Sequence, residues 1–274
     1  MYNYKKLRKI HFNSSVIKFK KSSNIDISNW SKNPYTFLKA RLFIEIAAII
    51  VFFLQFTKIT PNFVTGFYIF LGFLSGLFLA SNNDALILTA VLLLIFKNII
   101  DWCDGLLARI KKMTSNLGDT LDRWGSAVGY NSFVLGFGFY LYNESQNKYF
   151  IIIVILIMFL KSIDLKDYVY HLVGYKIFKD KNVQKILSSI NIKQKSKNII
   201  KYTKFDKYKN FIIAFLDDSR SRVVDTIAVL IFIDHFYINV NFLPYIFYFI
   251  FFKIFLFFLG GVYITCFRNY VFKK

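Results

Sequence analysis

The stretch Asp101–Ser126 reads DWCDGLLARIKKMTSNLGDTLDRWGS and joins two strongly hydrophobic segments of the chain. Asp101 and Asp104 are three residues apart, so on a helix their carboxylates point to the same side. Asp122 follows a basic turn and lies near the start of the next predicted helix. The spacing therefore predicts two helix ends that present carboxylates to a common space.

The residue types around these carboxylates indicate what that space binds. Hard divalent cations prefer carboxylate oxygens, and Mg²⁺ combines a few of them with waters and substrate phosphates. Gly105, Ala108 and Gly118 leave room for a bulky ligand against the backbone. Arg109 carries a planar guanidinium that suits phosphate oxygens. The sequence predicts a metal-dependent site for a phosphate-bearing molecule at a membrane surface.

The same stretch resembles the signature D-x2-D-G-x2-A-R-x8-G-x3-D-x3-D of the CDP-alcohol phosphotransferases, also called CDP-alcohol phosphatidyltransferases, of phospholipid synthesis. Ser126 stands where that family has its last aspartate. The other seven positions are filled by Asp101, Asp104, Gly105, Ala108, Arg109, Gly118 and Asp122. A second, less specific resemblance is the Thr60-Pro61-Asn62 start of the first predicted spanning helix, where Thr60 suits the N-cap and Pro61 the first turn.

The resemblance implies an activity and its cofactors. It implies transfer of a substituted phosphate group from a CDP-linked donor, CDP-diacylglycerol or a CDP-alcohol, to an alcohol or alcohol-phosphate acceptor, with release of CMP. Two divalent cations, Mg²⁺ or Mn²⁺, would be held by Asp101, Asp104 and Asp122. The nucleotide contacts would be Gly105, Ala108, Arg109 and Gly118. The resemblance also implies a homodimer in contact with membrane lipids.

The last signature position leaves several alternatives open. In the resembling family this aspartate is usually the general base, and a serine hydroxyl is no base near neutral pH. Asp122 and position 126 are the expected catalytic positions, and Asp119 is the candidate substitute for the base. The acceptor could instead lose its proton to another group, or transfer could continue slowly, since a general base is typically worth about 10²–10⁴-fold. The competing function is a catalytically impaired member that binds CDP-lipid or headgroups, and a transporter fits less well.

Composition supports a membrane protein. Hydrophobic residues make up 55% of the 274 residues, and the mean hydropathy is +0.43. A formal charge of +20 would also suit nucleic acid, but in so apolar a chain it is better explained by anionic lipid headgroups, and no nucleic-acid partner is expected.

Hydropathy divides the chain into four segments. The predicted fold is an all-α integral membrane protein with about six transmembrane helices preceded by an interfacial amphipathic helix. The segments are a basic arm (1–41), the interfacial helix with four spans and the motif (42–160), a basic insertion (161–222), and two last spans with a basic tail (223–274). Lysine and arginine concentrate in the arm, the motif turn, the insertion and the tail. The positive-inside rule then places both termini and the site in the cytoplasm, most simply at the inner (cytoplasmic) membrane.

Lys97 is a charged residue inside a predicted span, one turn before Asp101. Two interpretations remain open. An i, i+4 ion pair with Asp101 is the simpler one, and steering of an anionic substrate is the other.

Overall fold

The computed structural model describes residues 2–23, 34–163, 221–238 and 241–262. Within these ranges the chain forms eight α-helices and no strand, which confirms the all-α prediction. They are α1 (Tyr4–Ser23), α2 (Pro34–Leu54), α3 (Pro61–Leu79), α4 (Asp84–Lys111), α5 (Asn116–Ser145), α6 (Tyr149–Ser162), α7 (Ser221–Phe236) and α8 (Leu243–Val262). The chain divides into two compact units, the first comprising residues 1–147 and 219–241 and the second residues 148–218 and 242–274.

The helices of the first unit begin at side-chain caps. The Thr60 hydroxyl accepts a hydrogen bond from the Phe63 amide and Pro61 occupies the first turn of α3, as the sequence predicts. Asn83 caps α4 in the same way, accepting from the amides of Ala85 and Leu86. These caps fix where the two long apolar helices start, and so which residues reach their far ends.

Glycines bring α3 and α5 into backbone contact. A Cβ placed on Gly76 would lie 2.2 Å from the carbonyl oxygen of Ser132, and one on Gly136 would lie 2.4 Å from the carbonyl oxygen of Gly76. Small residues at helix crossings permit such close approach where lipid, and not water, surrounds the helices. Beside this crossing a core of aliphatic side chains joins α2, α3 and α4, and Cys103 is fully buried within it.

The first two helices differ from the sequence prediction. The sequence analysis assigned no secondary structure to the basic arm, where the structure has α1, and α2 starts eight residues before the expected interfacial helix at 42. Leu7, His11 and Ser15 of α1 are buried and follow each other at four-residue intervals, so they form one narrow face. Arg8 forms an ion pair with Glu45 of α2. Basic residues dominate the other faces of α1. The mean hydropathy of the segment is therefore low and does not reveal the buried strip.

Three helices in the described ranges are long and apolar enough to cross a membrane: Pro61–Leu79, Asp84–Lys111 and Leu243–Gly260. Helix α6 is equally apolar but has only 14 residues. The number of six spans and the cytoplasmic position of the termini stay predictions. Most of the predicted basic insertion, together with the C-terminal tail, lies outside the described residues.

In the second unit, α6 packs against α8 through aromatic rings. The ring of Phe150 lies 5.7 Å from that of Tyr248, nearly parallel to it, and 6.0 Å from that of Phe247. Offset stacked and edge-to-face pairs of this kind are favourable beyond the area they bury.

Candidate metal and phosphate site

Three carboxylates meet where α4 ends and α5 begins. Asp101, Asp104 and Asp122 each offer one oxygen, and these oxygens all lie within 4.8 Å of one another. All three residues are partly buried, so the group is reachable from outside while its acids are held close together. Negatively charged carboxylates so close together repel one another, and a cation bound between their oxygens relieves this repulsion. A site with oxygen ligands alone suits Mg²⁺ or Mn²⁺. The residues present therefore fit a divalent cation.

The turn between the two helices is held by local hydrogen bonds. Helix α4 stops at Lys112, whose left-handed backbone (φ 55°) allows its amide to close the last turn. The Ser115 hydroxyl then accepts from the Gly118 amide at 3.0 Å and starts α5. Lys111 donates to the carbonyl of Thr57 at 2.7 Å, which ties this turn to the segment before α3. The separation of Asp104 and Asp122 is thus set by a short, well-anchored turn.

Helix α3 supplies hydrogen-bond donors behind the carboxylates. The Thr65 hydroxyl donates to Asp104 Oδ2 at 2.7 Å. The Tyr68 hydroxyl lies 2.7 Å from the Asp122 carbonyl oxygen and 3.2 Å from its Oδ1. Gly125 makes room for it, because a Cβ there would lie 2.5 Å from the Tyr68 hydroxyl oxygen. Donors of this kind orient acidic ligands before a cation arrives.

A cavity of about 310 Å³ lies beside the α4–α5 turn, next to Gly118. Its lining comprises Thr60, Pro61, Asn62, Met113, Thr114 and Ser115. A Cβ on Gly118 would come within 3.2 Å of Asn62 Oδ1 and 3.3 Å of the Ser115 hydroxyl oxygen. The absence of a side chain at 118 therefore lets the start of α5 approach the start of α3.

Arg109 lies on the last turn of α4, beside the partly buried Gly105 and Ala108. A Cβ on Gly105 would lie 3.6 Å from Arg109 Nη1, so the guanidinium lies along its own helix. Its Nη2 is 3.3 Å from Nδ1 of the buried His11 on α1. Since arginine only donates, Nδ1 accepts in this contact. The N-terminal helix therefore helps to place the arginine.

Ser126 lines a second cavity, of about 210 Å³. Asp101, Tyr68 and Lys97 also line it. Tyr68, whose hydroxyl contacts Asp122, lines this cavity together with Ser126. The serine is therefore part of the site, although it contributes a neutral hydroxyl and no carboxylate.

Lys97 is buried (8% exposed) between α3 and α5. A Cβ on Gly129 would lie 2.3 Å from its Nζ, and one on Gly72 would lie 3.4 Å from its Cδ. Asp101 and Asp225 attract the ammonium electrostatically, but within the described ranges it makes no direct hydrogen bond or ion pair with either. The expected i, i+4 ion pair with Asp101 is thus replaced by a side chain that passes through a gap between two glycines.

Asp225 of α7 is held by two other residues. Lys39 of α2 forms an ion pair with it, and Asn98 Nδ2 donates to its Oδ1 at 2.7 Å. The three side chains connect α2, α4 and α7 close to the second cavity, of which Asn98 is a lining residue. The charge of Asp225 is thus already matched inside the protein.

Asp119 does not join the three carboxylates. Its side chain is mostly exposed and contacts Arg123, one turn further along α5, at 2.8 Å. Ser126 instead shares its cavity with Tyr68, Lys97 and Asp101.

The sequence analysis missed the contributions of α3 and α7. Thr65 and Tyr68 are three residues apart after the predicted helix start, which places them on one face, but no spacing rule links that face to the aspartates. Asp225 carried a clearer signal, because an acid in an apolar helix usually faces the protein interior.

The described residues form an all-helical fold with three helices long and apolar enough to span a membrane, and with three carboxylates that could hold a cation. The sequence profile described as CDP-alcohol phosphatidyltransferase matches residues 58–216, more than half of the chain. The protein therefore belongs to the CDP-alcohol phosphatidyltransferase family. It is a transferase family, generally dependent on divalent cations, and its name implies phosphatidyl transfer from a CDP-alcohol. The apolar helices and the family together indicate an integral membrane protein. No curated protein matches the chain.

Proposed function

We propose that the protein is a metal-dependent phosphotransferase of phospholipid or related lipid synthesis. It transfers a substituted phosphate group from CDP-diacylglycerol or a CDP-alcohol to an alcohol acceptor and releases CMP. The observation that carries the proposal is the group formed by Asp101, Asp104 and Asp122, whose oxygens lie within 4.8 Å of one another in a chain of this family.

The three aspartates would hold the divalent cation, which supplies charge neutralisation and orientation for an in-line displacement at phosphorus. Thr65 and Tyr68 keep the carboxylates of Asp104 and Asp122 in place through their hydroxyl groups. The resemblance implies two cations, and the three carboxylates are the described residues that could hold them.

The donor nucleotide would lie along the α4–α5 turn. Gly105 and Ala108 leave the end of α4 open, and Arg109 offers donors for phosphate oxygens. The cavity beside Gly118 is the candidate position of the cytidine, since its lining is small and polar apart from Met113 and Pro61. The charged part of the donor then faces the carboxylate group, while an acyl chain would extend into lipid.

The acceptor would approach from the cavity that contains Ser126. No carboxylate occupies position 126, and Asp119 is turned away toward Arg123. The Ser126 and Tyr68 hydroxyls can accept a hydrogen bond from an acceptor alcohol and orient it, but neither removes its proton near neutral pH. Asp101 lines this cavity, and Asp122, which accepts a hydrogen bond from Tyr68, remains the expected catalytic carboxylate.

The alternative is an impaired member that binds CDP-lipid or headgroups without efficient transfer. Its support is the missing carboxylate at 126, since loss of a general base typically lowers a rate by about 10²–10⁴-fold.

The proposal also includes a homodimer, location in the inner (cytoplasmic) membrane and a site that faces the cytoplasm. These three rest on the resemblance and on the charge of the loops.

The deciding experiment measures CMP release by the purified protein. CDP-diacylglycerol and CDP-alcohols are tested with Mg²⁺ or Mn²⁺ across a panel of acceptors, with Asp101→Asn as the inactive control. Acceptor-dependent CMP release that Asp101→Asn abolishes establishes the transferase. Cation-dependent nucleotide binding without release favours the binding protein, and an increase of turnover in Ser126→Asp would then identify the lost base.

A further inference from the structure

We propose that Lys97 supplies the second positive charge of the site, so that Asp101, Asp104 and Asp122 bind one divalent cation instead of two. This inference rests on the proposed metal site. It concerns the number of cations that the site accepts, which the proposed transfer reaction leaves open.

The first observation is a buried cation without a direct partner. Lys97 is more than nine-tenths buried, lines the cavity beside Asp101, and forms no hydrogen bond or ion pair with the residues of the described ranges. A buried ammonium is costly unless negative charge lies near it. Of the two acids that attract it, Asp225 is already bound to Lys39 and Asn98. Lys97 therefore compensates mainly the charge of Asp101.

The second observation is where the ammonium lies. Its Nζ packs against Gly129, which follows Ser126 by one helical turn on α5. Lys97 and Ser126 line the same cavity together with Asp101. Lys97 thus places a positive charge in the cavity that Ser126 lines. Ser126 itself is neutral and adds no negative charge there. The gap at Gly72 and Gly129 is what lets the side chain reach that side.

The balance of charge then favours one cation. Among the described residues, two positive charges lie near the three carboxylates: Lys97 near Asp101 and Arg109 near Asp104. One divalent cation is enough to neutralise the negative charge that remains. A second cation would lie close to the first, and the described residues offer it no fourth carboxylate. Repulsion between charges at such distances is strong in a partly buried site.

The test counts Mn²⁺ ions bound per chain in the purified full-length protein, by electron paramagnetic resonance titration and by elemental analysis after gel filtration. The wild type is expected to bind one Mn²⁺. Ser126→Asp alone is expected to bind one, because the new carboxylate pairs with Lys97. The double variant Ser126→Asp with Lys97→Met is expected to bind two. Lys97→Met alone should bind its single Mn²⁺ at least about tenfold more tightly, since a like charge near the ion has been removed.

The outcomes separate this inference from the proposed function. Two Mn²⁺ per wild-type chain, or unchanged Mn²⁺ affinity in Lys97→Met, overturns the role of Lys97 and leaves the metal site standing. Two Mn²⁺ in Ser126→Asp alone shows that the missing carboxylate, and not the lysine, limits the number. No Mn²⁺ in the wild type overturns the metal site itself. Two Mn²⁺ in the wild type would overturn the inference even where a variant fails to fold.

Discussion

At the scale of single residues, the Thr65 hydroxyl has one proton and two acceptors within reach. Asp104 Oδ2 lies at 2.7 Å and the Pro61 carbonyl oxygen at 3.1 Å. The shorter contact leads to a charged acceptor, and such hydrogen bonds are the stronger ones. Thr65 is also almost completely buried, so no water replaces it easily behind the carboxylate. Its contribution to cation binding should therefore be measurable.

Thr65→Val keeps the shape of the side chain and removes the donor to Asp104. We expect Mn²⁺ affinity to fall by about 10–100-fold, the usual effect of losing a hydrogen bond behind a metal ligand. The measurement is a Mn²⁺ titration, accompanied by CMP release at saturating metal. Thr89→Val is the matched control, because Thr89 makes the same bond to the carbonyl four residues earlier but contacts no carboxylate. Equal affinity in both variants would show that Thr65 serves packing alone.

At the scale of helices, the crossing of α3 and α5 depends on glycines that differ sharply in their surroundings. A Cβ on Gly76 would strike the main chain of Ser132, which cannot rotate away as a side chain can. Gly66 lies on the same helix, and a Cβ there would meet nothing within 4 Å. The two positions therefore separate the effect of contact from that of helix propensity.

We expect Gly76→Ala to lower the free energy of unfolding by about 1–3 kcal/mol or more, because α3 and α5 must move apart. Gly66→Ala should be neutral or stabilising by up to about 1 kcal/mol, as alanine favours a helix. Thermal unfolding in detergent, followed by circular dichroism, measures both. A loss of stability in Gly66→Ala equal to that in Gly76→Ala would contradict the backbone contact.

Helix starts and the acidic pairs could be predicted from sequence because both depend on local chemistry. Thr60 with Pro61 begins α3, and the spacing of Asp101 and Asp104 places them on one face. Contacts between helices could not be predicted in the same way. The Lys97 side chain passes between Gly72 and Gly129, residues far apart in sequence, so the i, i+4 spacing named the right charge, Asp101, but not the absence of a direct ion pair with it. The buried strip of α1 was missed because its buried residues in the described part of the helix, Leu7, His11 and Ser15, alternate with basic residues along the sequence.

At the scale of the whole molecule, α4 has 28 residues and is about 42 Å long, enough to cross a bilayer with its charged end beyond the hydrocarbon. The turn before it, at Asn82, and the turn after it, at Lys112, should then lie on opposite sides of the membrane. The distribution of lysine and arginine predicts that the Lys112 side is cytoplasmic.

Single cysteines at these two turns test the orientation. In a background with Cys103→Ala and Cys266→Ser, Asn82→Cys should react with a membrane-impermeant maleimide in intact cells. Lys112→Cys should react only after the cells are lysed. The ratio of labelling before and after lysis is the measurement. Labelling of Lys112→Cys in intact cells would reverse the predicted topology, and labelling of both would place α4 across no membrane.

The short turn between α4 and α5 also bears on how the protein is made. All three candidate metal ligands lie within 22 consecutive residues, and both hydroxyl donors behind them come from α3, which precedes them in the chain. Because synthesis proceeds from the N-terminus and earlier segments fold first, this group can assemble once α5 has emerged from the ribosome. The nascent chain can then bind a cation before its last helices are translated.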